Sequence, residues 1–356
     1  LLVRYTKSET GKLKKQALIY TQKEHKITRD MIDPDALWVT HKLREAGFEA
    51  YVVGGAVRDL LVGKTPKDFD ICTDANPRRV RRIFRNSRII GRRFRLVHVY
   101  FSHQKYLEVS TFRSAESGDG QNIYGTLDED PLRRDFTLNT LYYCPRDEYV
   151  IDYLGAFKDI KKGKIRPVIP LKTIFVEDPV RILRCLKYKV TINFDLTFRL
   201  KRRVKKDASY VANCSVSRLT EELFKVLSCG SAKGIIATYY EYGVLKYFIP
   251  EIARFMDQGS RKKTVLNSLE KLDKHVHGEG EDRRSRMIYY LLKPLWDKEN
   301  FDQVISKERF NHVLKFSKNC LSPLIAANKD IEGAMRYYFR KNKWPTTRPL
   351  KRKKPL

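Results

Sequence analysis

Tyr51-Val52-Val53-Gly54-Gly55-Ala56-Val57-Arg58-Asp59, and shortly after it Lys67-Asp68-Phe69-Asp70-Ile71-Cys72-Thr73, decide how this chain is read. The apolar triplet before Gly54 predicts a short strand. Residues 56–62 predict a short helix, stopped by Gly63. Residues 67–73 alternate in polarity and predict a second strand. Glycine lets a backbone come close to a phosphate, and a helix start offers free N–H groups and a positive dipole end. Arg58, one turn into the helix, adds a cation. Alone, Gly54-Gly55 is also an ordinary strand-to-helix turn. Two familiar phosphate motifs fail here: Gly63-Lys64-Thr65 lacks the first glycine of a P-loop because Arg58 stands there, and no G-x-G-x-x-G occurs. Asp68 and Asp70 carry more information. Strand alternation sends both to one side and Phe69 to the core. Two adjacent carboxylates repel unless a cation joins them, and Mg²⁺ would leave coordination positions for water and triphosphate oxygens.

A two-metal nucleotidyl-transfer site needs a third acid, and two candidates stand further on. Glu108 lies on a predicted strand, 106–112, that pairs with 97–101. Asp135 lies in Arg133-Arg134-Asp135-Phe136-Thr137, beside two arginines suited to phosphate. The residues alone leave both open: Glu108 as a strand-face acid, Asp135 as a helix cap at the start of a helix or strand over 135–141. Outward from this centre, residues 1–30 are basic and weakly periodic and predict a flexible arm. Asp33-Pro34-Asp35 opens a helix to about 47. Asn76-Pro77 starts an arginine-rich helix, residues 114–125 predict a loop, and 149–153 predict a strand.

From about residue 176 the pattern becomes helical throughout, so the fold class is α+β: a mixed head followed by an all-helical body. Asp178 and Pro179 are a good N-cap and first residue for a helix. Asp178, Arg181 and Arg184 are spaced by three and share one face, an acceptor and two donors able to read a base edge.

The 356 residues carry a net charge of +30, from 72 Lys and Arg against 42 Asp and Glu. A charge of that size predicts a polyanionic partner, nucleic acid first and an anionic membrane surface second. It is clustered: nine arginines and no acid over 78–95, six basic residues over 199–206, and nine over 336–356. Hydrophobic residues make up 42% of the chain, which excludes wholesale disorder, and no run approaches a membrane span. The six scattered cysteines read as reduced core thiols of a cytoplasmic protein, and no leader for secretion is seen. His275-Val276-His277 with Glu279, Glu281 and Asp282 is a weaker metal candidate, since alternate histidines in a polar stretch are usually surface residues.

In their order along the chain these pieces resemble the class II polynucleotide nucleotidyltransferases, the family of bacterial poly(A) polymerases and CCA-adding enzymes. The resemblance rests on the two opening stretches, on Arg133 to Thr137, on Asp152-Tyr153-Leu154-Gly155 with Lys164-Ile165-Arg166, on Glu177 to Arg184, and on Arg218-Leu219-Thr220-Glu221-Glu222-Leu223. Gly91-Arg92-Arg93-Phe94-Arg95-Leu96-Val97-His98-Val99 is similar to the poly(A) polymerase branch. The resemblance implies a polymerase-β-like head over 31–165, a neck over 166–230, a helical body over 231–335 and a basic tail over 336–356. It implies Asp68, Asp70 and Asp135 as catalytic acids, the first two holding Mg²⁺. Gly54, Gly55, Arg58, Arg133 and Arg134 would hold the triphosphate. Asp178, Arg181 and Arg184 would select ATP, with Lys187 where the family usually has another arginine. Arg92, Arg93, Arg95 and the tail residues Lys351, Arg352, Lys353 and Lys354 would track RNA without reading its sequence. The implied activity is addition of AMP to RNA 3′ ends in mRNA processing. CCA addition to tRNA and a silent RNA-binding protein on the same scaffold are the alternatives. RNA-decay or RNA-chaperone proteins are compatible partners that no motif specifies.

Overall fold

The computed structural model describes residues 1–7, 13–91, 95–102, 105–114, 123–275 and 283–346. The chain divides into two compact units, Leu1–Ile174 with Phe194–Leu200, and Phe175–Asn193 with Lys201–Leu356. Residues 194–200 return to the first unit.

The first unit is built on one nine-stranded sheet. Its strands are β1 (Leu2–Lys7), β2 (Leu13–Thr21), β3 (Ala50–Val53), β4 (Asp70–Thr73), β5 (Ser87–Ile90), β6 (Leu96–Tyr100), β7 (Tyr106–Thr111), β8 (Leu141–Cys144) and β9 (Tyr149–Asp152), in the order β1-β2-β9-β8-β3-β4-β7-β6-β5. All neighbours are antiparallel except β4 and β7. A two-stranded parallel pair, β10 (Lys164–Ile165) with β11 (Asp195–Leu196), accompanies it. The helices of this unit are α1 (Gln22–His25), α2 (Pro34–Glu45), α3 (Gly55–Leu61), α4 (Pro77–Ile83) and α5 (Ala156–Lys161).

Local chemistry accounts for the elements around the site. The Asp33 carboxylate accepts the Asp35 N–H at 2.9 Å and Pro34 fills the first turn of α2, whose Ala36, Val39 and Leu43 are buried. Asn76 caps α4 by accepting the Arg79 N–H at 3.0 Å, with Pro77 behind it. Only Pro77 and Val80 of α4 are buried, so Arg78, Arg79, Arg81 and Arg82 all face out. One face of the sheet closes on Tyr51, Val53, Cys72, Phe112, Leu127, Tyr142 and Ile151.

Three expectations are corrected here. The described residues of 1–30 are not a loose arm: β1 pairs with β2, and β2 pairs with β9. Ala17, Tyr20 and Ile27 are buried, an apolar content that the surrounding lysines hide in the composition. The arginine-rich helix expected from Asn76-Pro77 is α4, which ends before Phe84, buried at 3% exposure, and β5 follows it. The strand expected over 67–73 begins only at Asp70, and the segment over 135–141 forms a 3-10 turn, Thr137–Asn139, ahead of β8.

The second unit is helical: α6 (Ile174–Glu177, beginning at the unit boundary), α7 (Val180–Thr191), α8 (Phe198–Lys206, its first three residues in the first unit), α9 (Val216–Leu227), α10 (Ala232–Glu241), α11 (Leu245–Phe248), α12 (Pro250–Met256), α13 (Arg261–His275), α14 (Arg283–Trp296), α15 (Ser306–Leu321) and α16 (Asn328–Lys341). Its core includes Leu183, Leu186, Leu223, Leu227, Tyr239, Phe248, Trp296 and Phe339. Among the described residues no helix is long and apolar enough to cross a membrane. All six cysteines are free thiols, and Cys72, Cys144, Cys185 and Cys320 are buried.

Candidate active site

Asp68 and Asp70 are both exposed and Phe69 between them is buried, just ahead of and at the start of β4. Asp70 opens β4 and pairs with Val53 of β3, the residue just before Gly54. The carboxylates and the glycines therefore meet at the same end of two adjacent strands. On the other side of β4, Ile71 pairs in parallel with Val109. One step back along that register sets Glu108 beside Asp70 on the same face. Burial raises the Tyr106 phenol above its ordinary range, and the nearby Glu108, Asp68 and Asp70 charges raise it further. Glu108 faces His98 of β6 at 3.4 Å, and the His98 and Tyr106 rings stack 4.2 Å apart.

Gly54 has φ +67° and ψ −120°, a conformation closed to L side chains. A Cβ there would lie 3.3 Å from Nη1 of Arg134, and one on Gly55 would lie 3.6 Å from Nη2 of Arg58. Two guanidiniums thus converge on a glycine floor at the start of α3. Arg58 donates to Oδ1 of Asn139 at 2.9 Å and pairs with Asp59 at 2.7 Å. Arg134 donates to the Asn139 carbonyl at 3.0 Å.

Asp135 is placed differently from Asp68 and Asp70. It is 5% exposed, and its Oδ1 accepts the Phe136 N–H at 2.8 Å and the Asn139 side-chain amide at 3.0 Å. It precedes β8, on the far side of β3 from β4, whereas Glu108 is on the strand beside β4. Asp135 holds Asn139, and Asn139 holds Arg58.

Sequence reasoning missed Asp130. It is fully buried, and its two oxygens take Arg133 (2.5 Å), Arg134 (2.8 Å) and the Tyr142 hydroxyl (2.6 Å). Burial works to raise its pKa, but the Arg134 and Arg133 cations and the Tyr142 hydrogen bond hold it well below the usual carboxylate range. Burial also pulls Arg113 down to about 10, helped by the Arg133 charge. The spacing Asp130, Arg133, Arg134 carried the signal, since residues three and four apart in a helical turn are neighbours.

In the second unit, Arg181, Arg184 and Lys187 form a half-buried polar stripe on α7, with Ile182, Leu183, Cys185 and Leu186 buried around it. Asp178 caps the helix by accepting the Val180 N–H at 3.2 Å and is held by Arg218 at 2.8 Å. Glu177 pairs with Arg181 at 3.0 Å, and the buried Glu222 pairs with Lys187 at 3.4 Å. Burial acts to raise Glu222, but Lys187, Lys225 and Arg184 keep it below the ordinary range. The motif over 218–223 thus supplies partners for Asp178 and Lys187.

Of the residues expected to track RNA, Arg95 is exposed, while Arg92, Arg93 and residues 351–354 lie outside the described residues. His277, Glu279, Glu281 and Asp282 lie outside them too. Among the described residues no three His, Cys, Asp or Glu side chains cluster to hold one metal ion. Asp68 and Asp70 offer two carboxylates, which suits Mg²⁺, an ion that takes one or two carboxylates and fills its sphere with water and phosphate oxygens.

Paired carboxylates at a strand end, beside a glycine-floored cradle of guanidiniums, define a nucleotidyltransferase head. Residues 50–166 match the poly A polymerase head domain, and residues 193–256 match the probable RNA and SrmB-binding site of polymerase A. The chain belongs to the class II polynucleotide nucleotidyltransferase family. It is 36% identical over 310 residues to poly(A) polymerase I of Escherichia coli O6:H1, covering 82% of this chain and 66% of the relative. It is 30% identical over 239 residues to the CC-adding tRNA nucleotidyltransferase of Halalkalibacterium halodurans, covering 67% of this chain and 60% of that one. The chain therefore spans just under two thirds of the curated relatives it matches. In fold it is similar to the CCA-adding enzyme of Bacillus stearothermophilus in complex with CTP, with TM-score 0.58 and 24% identity over 88% of this chain and 80% of that one.

Proposed function

We propose that this protein adds AMP from ATP to RNA 3′ ends without a template. The observation that carries the reading is the convergence of Arg58 and Arg134 on Gly54-Gly55, one strand from Asp70. The likeness to poly(A) polymerase I supports adenylate as the unit added. The RNA 3′-oxygen forms a bond to the α-phosphorus of ATP. The bond from that phosphorus to the bridging oxygen breaks, pyrophosphate leaves, and the hydroxyl proton passes to solvent.

Asp68 and Asp70 would hold Mg²⁺, which when bound neutralises charge on the triphosphate. Arg58 and Arg134 hold phosphate oxygens in preformed positions, so little reorganisation is needed as charge shifts. Arg133 is the outer member of that group. Of the two candidates for a third acid, strand register favours Glu108 over Asp135. Asp135 is a positioning residue, acting through Asn139 on Arg58. Asp178, Arg181, Arg184 and Lys187 supply the acceptor and donors for choosing the base. The outward arginines of α4 and the basic face of α8 hold RNA backbone. Free, mostly buried thiols support a reducing, cytoplasmic setting.

The test is extension of an RNA and of a tRNA lacking its 3′ end, with each nucleotide supplied separately. Long A-tracts from ATP alone are expected. A stop after three nucleotides that requires CTP would replace this reading with CCA addition. Loss of incorporation in Asp70→Ala, with the fold intact by circular dichroism, is expected. Full activity in that variant removes the metal assignment.

A further inference from the structure

A cavity of about 380 Å³ opens in the second unit between α13, α14 and α16. Its floor is apolar, with Leu272 and Met287 buried. One wall is aromatic and continuous. The His275 and Tyr290 rings are nearly parallel at 21° and 6.1 Å apart, Tyr290 meets Tyr289 edge-on at 5.2 Å, and Tyr289 meets Tyr337 at 6.1 Å. His275 is held by a hydrogen bond between its Nδ1 and the Lys271 carbonyl at 2.6 Å. The rim carries Arg283, Arg286 and Lys341, all exposed. Among the described residues no carboxylate lines the cavity.

An apolar floor, a wall of rings and a rim carrying Arg283, Arg286 and Lys341 match a flat aromatic group joined to a negative charge. The volume lies in the range of small-molecule sites. Rings stack bases of any identity, and arginine and lysine beside them take the phosphate. The clustered positive charge of the chain favours a strand over a lone nucleotide, because a strand releases counterions along its whole length.

We propose that this cavity takes one nucleotide of a single-stranded RNA, its base against Tyr290 and Tyr337 and its phosphates on Arg283 and Lys341. The site goes beyond the nucleotidyl-transfer reading and does not need it, because binding alone reports on it. It also gives a role to His275, whose ring lies nearly parallel to that of Tyr290.

The experiment measures binding of a short oligo(A) RNA to the full chain, without ATP or Mg²⁺, by fluorescence anisotropy. Tyr290→Ala and Tyr337→Ala are each expected to weaken binding roughly 5- to 100-fold, the range for losing one base stack. Tyr337→Phe, which keeps the ring, is expected to bind as the parent does. Ultraviolet crosslinking of the same RNA to the unaltered chain, mapped by mass spectrometry, is expected to mark His275, Tyr290 or Tyr337, and this arm stands even if a tyrosine variant fails to fold. The proposal is overturned by unchanged affinity in folded Tyr290→Ala and Tyr337→Ala, by crosslinks found only outside α13, α14 and α16, or by free AMP displacing the crosslink as effectively as RNA does.

Discussion

Replacing Asp130 by Asn tests whether the phosphate cradle is held from behind by one buried charge. The carboxylate is fully buried and meets Arg133 at 2.5 Å, Arg134 at 2.8 Å and the Tyr142 hydroxyl at 2.6 Å. Asn keeps the shape and removes the charge, leaving two guanidiniums without their counter-ion. Removing one partner of a buried pair costs about 3–5 kcal/mol. The loss depends on pH. The folded pKa of Asp130 lies below its unfolded value, so its stabilisation is present above the unfolded pKa and is lost as pH falls through the folded one. Urea denaturation of Asp130→Asn at neutral pH should show the full loss. From roughly pH 5 downward the parent should lose stability faster than the variant, and the two curves should converge. Arg134 also touches the glycine floor, so the variant should need more ATP to reach half-maximal incorporation. A stability loss under about 1 kcal/mol at neutral pH, with parallel pH curves and an unchanged ATP requirement, would refute the reasoning.

Gly54→Ala should cost about 1–3 kcal/mol from backbone strain and raise KM for ATP, because the new methyl meets Arg134 at 3.3 Å; denaturation and initial-rate assays check this. Arg79→Ala with Arg82→Ala removes two outward cations, so the slope of log Kd against log salt for RNA should fall by roughly 1.4. Glu222→Gln should loosen Lys187, and incorporation from ATP and CTP in competition should show reduced preference between them. Glu108→Gln should lower kcat more than Asp135→Asn does, while Asp135→Asn should act chiefly on KM for ATP through Asn139 and Arg58; single-nucleotide addition kinetics separate the two.

The parts of the fold read from sequence are those where local chemistry speaks alone. Asp33-Pro34 and Asn76-Pro77 announce helices by their own capping bonds, and Phe69 between two aspartates fixes which face of β4 is wet. The misread parts depend on distant partners. β2 is a strand because β9 offers it a free edge, and nothing within residues 13–21 reveals β9. β5 follows α4 in the same arginine-rich run, and its pairing partner β6 lies beyond it. At the site, spacing led to the exposed acids and the cradle glycines. It could not separate Glu108 from Asp135, because that choice turns on strand order. Asp130 stayed hidden since its importance comes from being enclosed, and short-range spacing to Arg133 and Arg134 was its one local trace.

Glu108 owes its place beside Asp70 to backbone hydrogen bonds, with Val109 anchored against Ile71 and His98 across from Glu108 on β6. Placement of that kind is quantised. Side chains along this strand can change identity freely while their positions stay on the lattice of the sheet. A shift of one residue would turn Glu108 to the opposite face and draw Val109 out of the core with it. The strand can therefore be retuned residue by residue, but its spacing changes only in whole steps of two.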